Sequence, residues 1–265
     1  MTLIRKLKAL FTVWLKDGIQ YRVNGIIWIL TDAITVFTMP LMWLSSMKGD
    51  MVGQMSRGGI VQYYLAMLAV GSFVICHFMW ELAYEIKEGI FSSQLVRPIS
   101  VYQSYFVRNF AWRIVRISLA TPFMLVYFWL YRDLLSSTQF HFSWQFAVAM
   151  LGGHILSFTT VMMLGFIALF VEEAYALFEL YYFPMLFLSG QIFPVSLLPP
   201  WAQTLAHYLP FYYTTNLPVD IVVGNVKPEQ SFGLLGIQLV FIGITYGISK
   251  ILWVKGLRQF SGVGM

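Results

Sequence analysis

Glu81, Glu85 and Glu88 recur at i, i+4 and i+7, with Lys87 between them, so the three carboxylates share one face of a short helix. Gly89 can close that helix, and Pro98 ends any helical continuation after Arg97. Glu81–Ser100 is the longest polar interruption in a very apolar chain. A short charged helix between apolar segments suits a handle by which a soluble partner moves a membrane domain. The competing reading is an ordinary solvated loop.

Other polar residues lie inside apolar runs, where they are costly and face protein or water. Asp32, beside Thr31 and Thr35, reads as a coupling or dimer-interface carboxylate, or as a structural partner for Arg22 or a hydroxyl cluster. His154, with Ser157 one turn on and Thr159 nearby, reads as a pathway group or as a helix–helix hydrogen-bonding group. His77 and Glu81 are four apart and suited to pairing. Glu172 and Glu173 form a tight turn facing solvent, a partner, or Arg113 and Arg116. Cys76 lies alone in an apolar run and reads as a small buried hydrophobe. The histidines, His77, His141, His154 and His207, are widely separated, and no D-x-x-x-D or H-x-x-x-x-D cluster forms. No metal site is expected, and an integral lipid-modifying enzyme, which needs convergent acid, base or metal groups, is disfavoured. No Gly-Lys dipeptide exists, so a phosphate-binding G-x-x-x-x-G-K-[ST] loop is absent and the chain is not expected to hydrolyse ATP.

The elements that position these groups follow from composition. Hydrophobic residues make up 58% of the 265 residues and charged residues 11%, against roughly 25% charged in soluble domains. One all-α membrane domain covering residues 1–265 accounts for that balance. A helix needs about 20 mostly apolar residues to cross the hydrocarbon core. Six spans are expected: Gly25 to Ser46, Gly59 to Trp80, Phe110 to Tyr131, Trp144 to Phe170, a shorter Ala174 to Ser189, and Phe232 to Trp253. Pro40, Pro122 and Pro184 should kink them. On the sixth, Gly236, Gly243 and Gly247 share a face expected to pack against another span of the same subunit.

Residues 1–22 carry no secretory-signal pattern. Leu3, Leu7, Leu10, Phe11, Trp14 and Leu15 form one stripe of a helix, with Arg5, Thr12 and Lys16 opposite and Lys6 and Lys8 at its edges. That is a basic amphipathic helix expected on an anionic membrane surface. Lys and Arg placement then orients the chain. Arg5, Lys6, Lys8, Lys16 and Arg22, then Lys87, Arg97, Arg108, Arg113 and Arg116, then Lys250, Lys255 and Arg258 fall on one side. Lys48, Arg57, Arg132 and Lys227 fall on the other. The positive-inside rule puts both termini and Glu81–Ser100 in the cytoplasm. Between the fifth and sixth spans, Pro194, Pro199, Pro200, Pro210 and Pro218 forbid one long helix. Residues 190–230 are expected to form a re-entrant pair of short helices in the outer leaflet, or else an interfacial loop.

This order of elements resembles the membrane subunit of ABC exporters of the ABC-2 type. The resemblance is carried by Glu85-Ile-Lys-Glu-Gly-Ile-Phe-Ser-Ser-Gln-Leu-Val-Arg-Pro-Ile-Ser100 and by Leu188-Ser-Gly-Gln-Ile-Phe-Pro194 followed by Leu198-Pro-Pro-Trp201. Leu188-Ser189-Gly190-Gln191 also overlaps the ATPase signature of that transporter class, but it lacks the second glycine and ends an apolar span. The length and the Val96-Arg97-Pro98 turn look most like a subfamily with paired half-permeases and one ATPase. The resemblance implies a bacterial inner-membrane permease paired with a second, identical or related permease subunit. A soluble ATPase would carry the ATP and magnesium, this chain binding no cofactor itself. Glu81, Glu85, Lys87, Glu88 and Gly89 would belong to the coupling helix of residues 81–100. Arg5, Lys6, Lys8, Trp14 and Lys16 would belong to a connecting helix flanking the ATPase. Phe193, Pro194, Pro199 and Pro200 would form part of the outer gate. Membrane lipids are expected as partners, nucleic acid is not, and an amphipathic cargo (lipid, glycolipid or hydrophobic drug) suits the aromatic spans. An ion-coupled secondary transporter is the alternative, though neither further spans nor an internal repeat is present.

Overall fold

Serine hydroxyls set the starts of three long helices. Ser56 accepts from the Gly59 amide at 3.1 Å, Ser100 from Gln103 at 3.2 Å and Ser143 from Phe146 at 3.2 Å. At Ser100 the Gln103 side chain also accepts from the Ser100 amide, a reciprocal capping box. The computed structural model describes residues 2–260. In it, α1 covers Leu3–Gln20 and α2 Arg22–Ser46; a two-strand hairpin, β1 Met51–Val52 with β2 Met55–Ser56, leads into α3, Arg57–Val74. Two short helices, α4 Met79–Lys87 and α5 Phe91–Leu95, precede α6, Val101–Leu130, and α7, Arg132–Leu135. Then come α8 Trp144–Gly165, which tightens into a 3-10 turn over Phe166–Leu169, and α9 Tyr175–Leu188. The chain closes with α10 Pro200–Tyr208, a π-helical turn over Tyr212–Asn216, α11 Leu217–Val222 and α12 Pro228–Gln259.

Among the described residues, five helical stretches are long and apolar enough to cross a membrane: Arg22–Ser46, Arg57–Lys87, Val101–Leu130, Trp144–Leu169 and Pro228–Gln259. The chain is an all-α, multi-pass membrane protein with one very small hairpin. At 14 residues, α9 reaches only about 21 Å, short of a hydrocarbon core of about 30 Å. The elements divide between two ends. One holds α4, α5 and the 3-10 turn after α8. The other holds the β hairpin, α10, α11 and the Gly190–Asn225 segment.

α8 is the central post, with α12, α3 and α11 packed around it. Gln238 of α12 is buried and donates to the carbonyls of Ala149 (3.0 Å) and Tyr213 (2.7 Å), fastening α12 to α8 and to the π-helical turn. The buried side of α12 is set by Leu235, Gln238, Thr245 and Ser249. Gly236, Gly243 and Gly247 point elsewhere: nothing lies within 4 Å of a Cβ added at any of them. Their expected packing against a span of the same chain is not found.

The expected second span differs more. It is not one helix from Gly59 to Trp80 but α3 and α4, separated at Ile75–Phe78. No proline marks the break; side chains from other helices sustain it. Such a break leaves backbone groups unpaired, at about 1–3 kcal/mol each if buried. Here the Ser157 hydroxyl accepts from the Cys76 amide at 2.9 Å, His154 Nδ1 donates to the Phe73 carbonyl at 3.0 Å, and Arg113 donates to the Ile75 carbonyl. A carbonyl only accepts, so the Phe73 contact places the proton on Nδ1 of His154. Asn109 adds a contact to the Cys76 sulfur at 3.1 Å.

α1 also departs from a helix lying only on a membrane surface. Its apolar stripe packs along α6: Phe11 meets Phe110 at 6.4 Å between ring centroids, and Leu7, Leu10, Trp14 and Leu15 are half-buried. Arg5, Lys8 and Lys16 remain exposed, and Lys6 donates to the Pro98 carbonyl at 3.2 Å.

Candidate functional site

α4 buries Met79, Leu82, Ala83 and Ile86, a helical stripe, against Met162, Phe166, Leu169 and Phe178. Gly89, at φ +73°, closes the helix in the left-handed conformation as the sequence predicts, and α5 follows. The charged face behaves differently from expectation. Glu81, Glu85 and Glu88 do not form one solvent-facing row. Glu85 turns inward, accepting from the Tyr105 hydroxyl (2.7 Å), Arg108 (3.1 Å) and Gln94 (3.3 Å). Glu81 pairs with the same Arg108 at 2.6 Å, and only Glu88 is left free-standing toward solvent. The cause is α6, which begins nine residues before the expected third span, at Val101, and so brings Tyr105 and Arg108 alongside α4.

Arg108 also lies over the Trp14 ring, its Cζ 4.4 Å from the centroid. One guanidinium therefore ties α1, α4 and α6 together. Lys87 adds a strap from α4 to Glu173 at 2.8 Å, before α9. Glu172 and Glu173 do not reach Arg113 or Arg116, which are engaged by the Ile75 carbonyl and by Asp32 respectively. What α4 and α5 leave uncovered is a mixed surface: Tyr84 (52% exposed), Ile90 (46%) and Val96 (84%), beside Lys87, Glu88 and Arg97.

Asp32 joins α2 to α6 through Arg116, and not through Arg22. It also lines a cavity of about 150 Å3 between α2, α3 and α9, with Thr31, Thr35, Ser72, His77 and Gln191. His154 and Ser157 are spent on the α3–α4 break, and Thr159 bonds Thr245 of α12 at 2.7 Å. His77 is packed among Trp28, Trp80 and Tyr182 and makes no bond to Glu81. Among the described residues, no three His, Cys, Asp or Glu side chains gather as metal ligands.

At the opposite end, the segment after α9 folds back through protein. Residues 211–222 are all buried. Tyr63 and Tyr64 of α3 hold its first arm: the Tyr63 hydroxyl lies 2.8 Å from the Gly190 carbonyl and 2.6 Å from Asn216 Oδ1, and Tyr64 donates to the Ile192 carbonyl at 2.7 Å. Phe193 meets the edge of Trp43 at 6.1 Å, Pro194 is buried, and Pro199 and Pro200 start α10. This tyrosine pair carries no spacing signal in the sequence beyond its place in an apolar run.

Asp220 closes the network, accepting from Asn216 (2.5 Å), Asn225 (2.9 Å) and Tyr212 (3.0 Å).

Residues 26–264 match the family described as ABC-2 family transporter protein. A 76-residue stretch is 33% identical to Nodulation protein J of Neorhizobium galegae, a match covering 29% of this chain and 29% of that protein. The family match over nearly the whole chain leads to one conclusion: the chain belongs to the ABC-2 family of transporter proteins.

Proposed function

We propose that the chain is the permease subunit of an ATP-driven exporter, and that α4 and α5 receive a separate soluble ATPase. The observation that carries this reading is the construction of α4. One face is locked by Arg108 to α1 and α6 and by apolar packing to α8 and α9, while Tyr84, Ile90 and Val96 stay uncovered. Such an element transmits a push at its free surface to four helices. The cationic residues flanking it support a cytoplasmic location for this end and for both termini, by the positive-inside rule. α9 then serves as a short fifth span, completed by the Gly190–Asn225 segment as an outer re-entrant hairpin, with α12 as the sixth. The exposed faces of α2 and α12, including Gly236 and Gly243, are available to a second permease subunit. The cavity at Asp32, Thr31 and Thr35 lies on a route for an amphipathic cargo (lipid, glycolipid or hydrophobic drug) leaving the cytoplasm or inner leaflet of a bacterial inner membrane.

Co-purification from membranes in mild detergent tests the reading. The wild-type chain is expected to bring an ATP-hydrolysing subunit with it. Val96→Glu and Glu88→Lys, both on the uncovered surface, are expected to lower its recovery by about tenfold, a change of about 1.4 kcal/mol, with permease yield unchanged. Recovery of a clean permease from wild type, with its fold intact, would return weight to a secondary transporter.

A further inference from the structure

A cavity of about 390 Å3 lies between α2 and the first half of α6. That volume falls within the roughly 300–1,000 Å3 of small-molecule sites. Three arginines, Arg108, Arg113 and Arg116, stand on its wall against one carboxylate, Glu81, with Asn109, Trp28 and Trp112 beside them. Glu85 and Asp32 approach from behind the wall. Their charges are committed: Arg108 is held by Glu81 and Glu85, and Arg116 by Asp32. Arg113 has no carboxylate partner among the described residues. It is 6% exposed, and its bond goes to the neutral Ile75 carbonyl.

Two donors are left over. The Nε–H groups of Arg113 and Arg116 are buried and have no acceptor among the described residues. Buried unpartnered donors on charged groups are expensive. Both Nε–H groups are closed off from the cavity as well, so what the cavity offers an anion is the uncompensated Arg113 charge at its wall, and guanidinium groups suit phosphate geometry. The cavity mouth is flanked by Ile27 and Trp28, which are 56% and 60% exposed on the outward side of α2. Apolar and aromatic rim with buried cations within is the polarity of an amphiphile entering head first.

We propose that this cavity binds the phosphate-bearing headgroup of an anionic amphiphile drawn from the adjacent membrane leaflet. The leaflet is the cytoplasmic one, a clause that rests on the orientation proposed above. Arg113 supplies the charge that has no carboxylate partner, Arg116 and Asn109 line the wall beside it, and Trp28 and Ile27 meet the acyl chains at the mouth.

Native mass spectrometry of the full chain tests this, after equilibration with phosphatidylglycerol and phosphatidylcholine of identical acyl chains. Phosphatidylglycerol is expected to be retained about tenfold over phosphatidylcholine, which corresponds to about 1.4 kcal/mol. Arg113→Gln removes that preference. Because Arg113 also supports the α3–α4 break, Ile27→Trp serves as a second variant: it fills the mouth from an exposed position, is expected to keep the thermal midpoint, and loses the lipid. Equal retention of the two lipids, or phosphatidylglycerol retained undiminished by the Ile27→Trp variant, overturns the proposal. Displacement of the lipid by millimolar inorganic phosphate would assign the site to a soluble anion and overturn the leaflet source. ATPase recovery is scored separately in the same preparations, so loss of the docking reading and loss of this one give different results.

Discussion

Arg108→Gln is expected to leave a permease that still inserts and still recovers its ATPase, but whose α4 no longer moves with the rest of the chain. The variant removes the only cation paired with Glu81 and Glu85 among the described residues, and the guanidinium over the Trp14 ring. Breaking a fully buried pair from one side costs about 3–5 kcal/mol. The Arg108 and Glu85 side chains are 19% and 14% exposed, and solvent reduces the figure to roughly 2–3 kcal/mol. For a chain of this length that is a fall of about 5–10 °C in the thermal midpoint. ATP hydrolysis by the assembled complex should drop toward that of the ATPase subunit alone. Arg108→Lys should recover only part of it, since an ammonium offers one point of contact where the guanidinium offers a fork. Placing Arg108→Gln in a Glu81→Gln, Glu85→Gln background should cost less than in wild type, because no unpaired carboxylates remain. Equal cost in both backgrounds would contradict the assigned node.

Gly190→Ala should be the most damaging small change at the opposite end. Gly190 sits at φ +80°, where an L side chain is strained by about 1–3 kcal/mol. An added Cβ would also lie 3.0 Å from Asn216 Cγ and still closer to Asn216 Oδ1 and the Tyr63 hydroxyl. One of those groups must move, and each lost hydrogen bond costs about 1 kcal/mol. The sum is roughly 3–5 kcal/mol, a large share of the 5–15 kcal/mol that holds a folded domain together. The expected readout is a sharp fall in thermal midpoint and in yield from membranes. Tyr63→Phe, which removes one hydroxyl and adds no atom, should cost far less. A Gly190→Ala protein as stable as wild type would mean that the segment after α9 does not fold back as described.

Much of this architecture is legible in the sequence because bilayers impose length and composition on helices. The long apolar runs became α2, α6, α8 and α12 within a few residues at most ends, and Gly89 marked a real boundary. What stayed hidden depends on partners distant in the chain. The break at Ile75–Phe78 carries no Pro, and it exists because Arg113, His154 and Ser157 on other helices satisfy its backbone. Glu85 looks like a surface charge until α6 is extended back to Val101, which brings Tyr105 and Arg108 to it. The same reasoning separates the polar residues of the spans. Asp32 faces a cavity, whereas His154, Ser157 and Thr159 are consumed by hydrogen bonds between helices. The glycines of α12 obeyed their spacing rule and still found no partner among the described residues, because periodicity fixes a face and not what covers it.

The central claim is that the ATPase seats on the surface formed by α4 and α5. Site-specific photocrosslinking in intact cells tests it most directly, with the reactive side chain at Val96 in one protein and at Tyr208 in another. Both positions are highly exposed, at 84% and 78%, and they lie at opposite ends of the molecule. The account predicts a crosslink from position 96 to the soluble ATPase subunit and none from position 208. No ATPase adduct at position 96, or one at position 208, would contradict it.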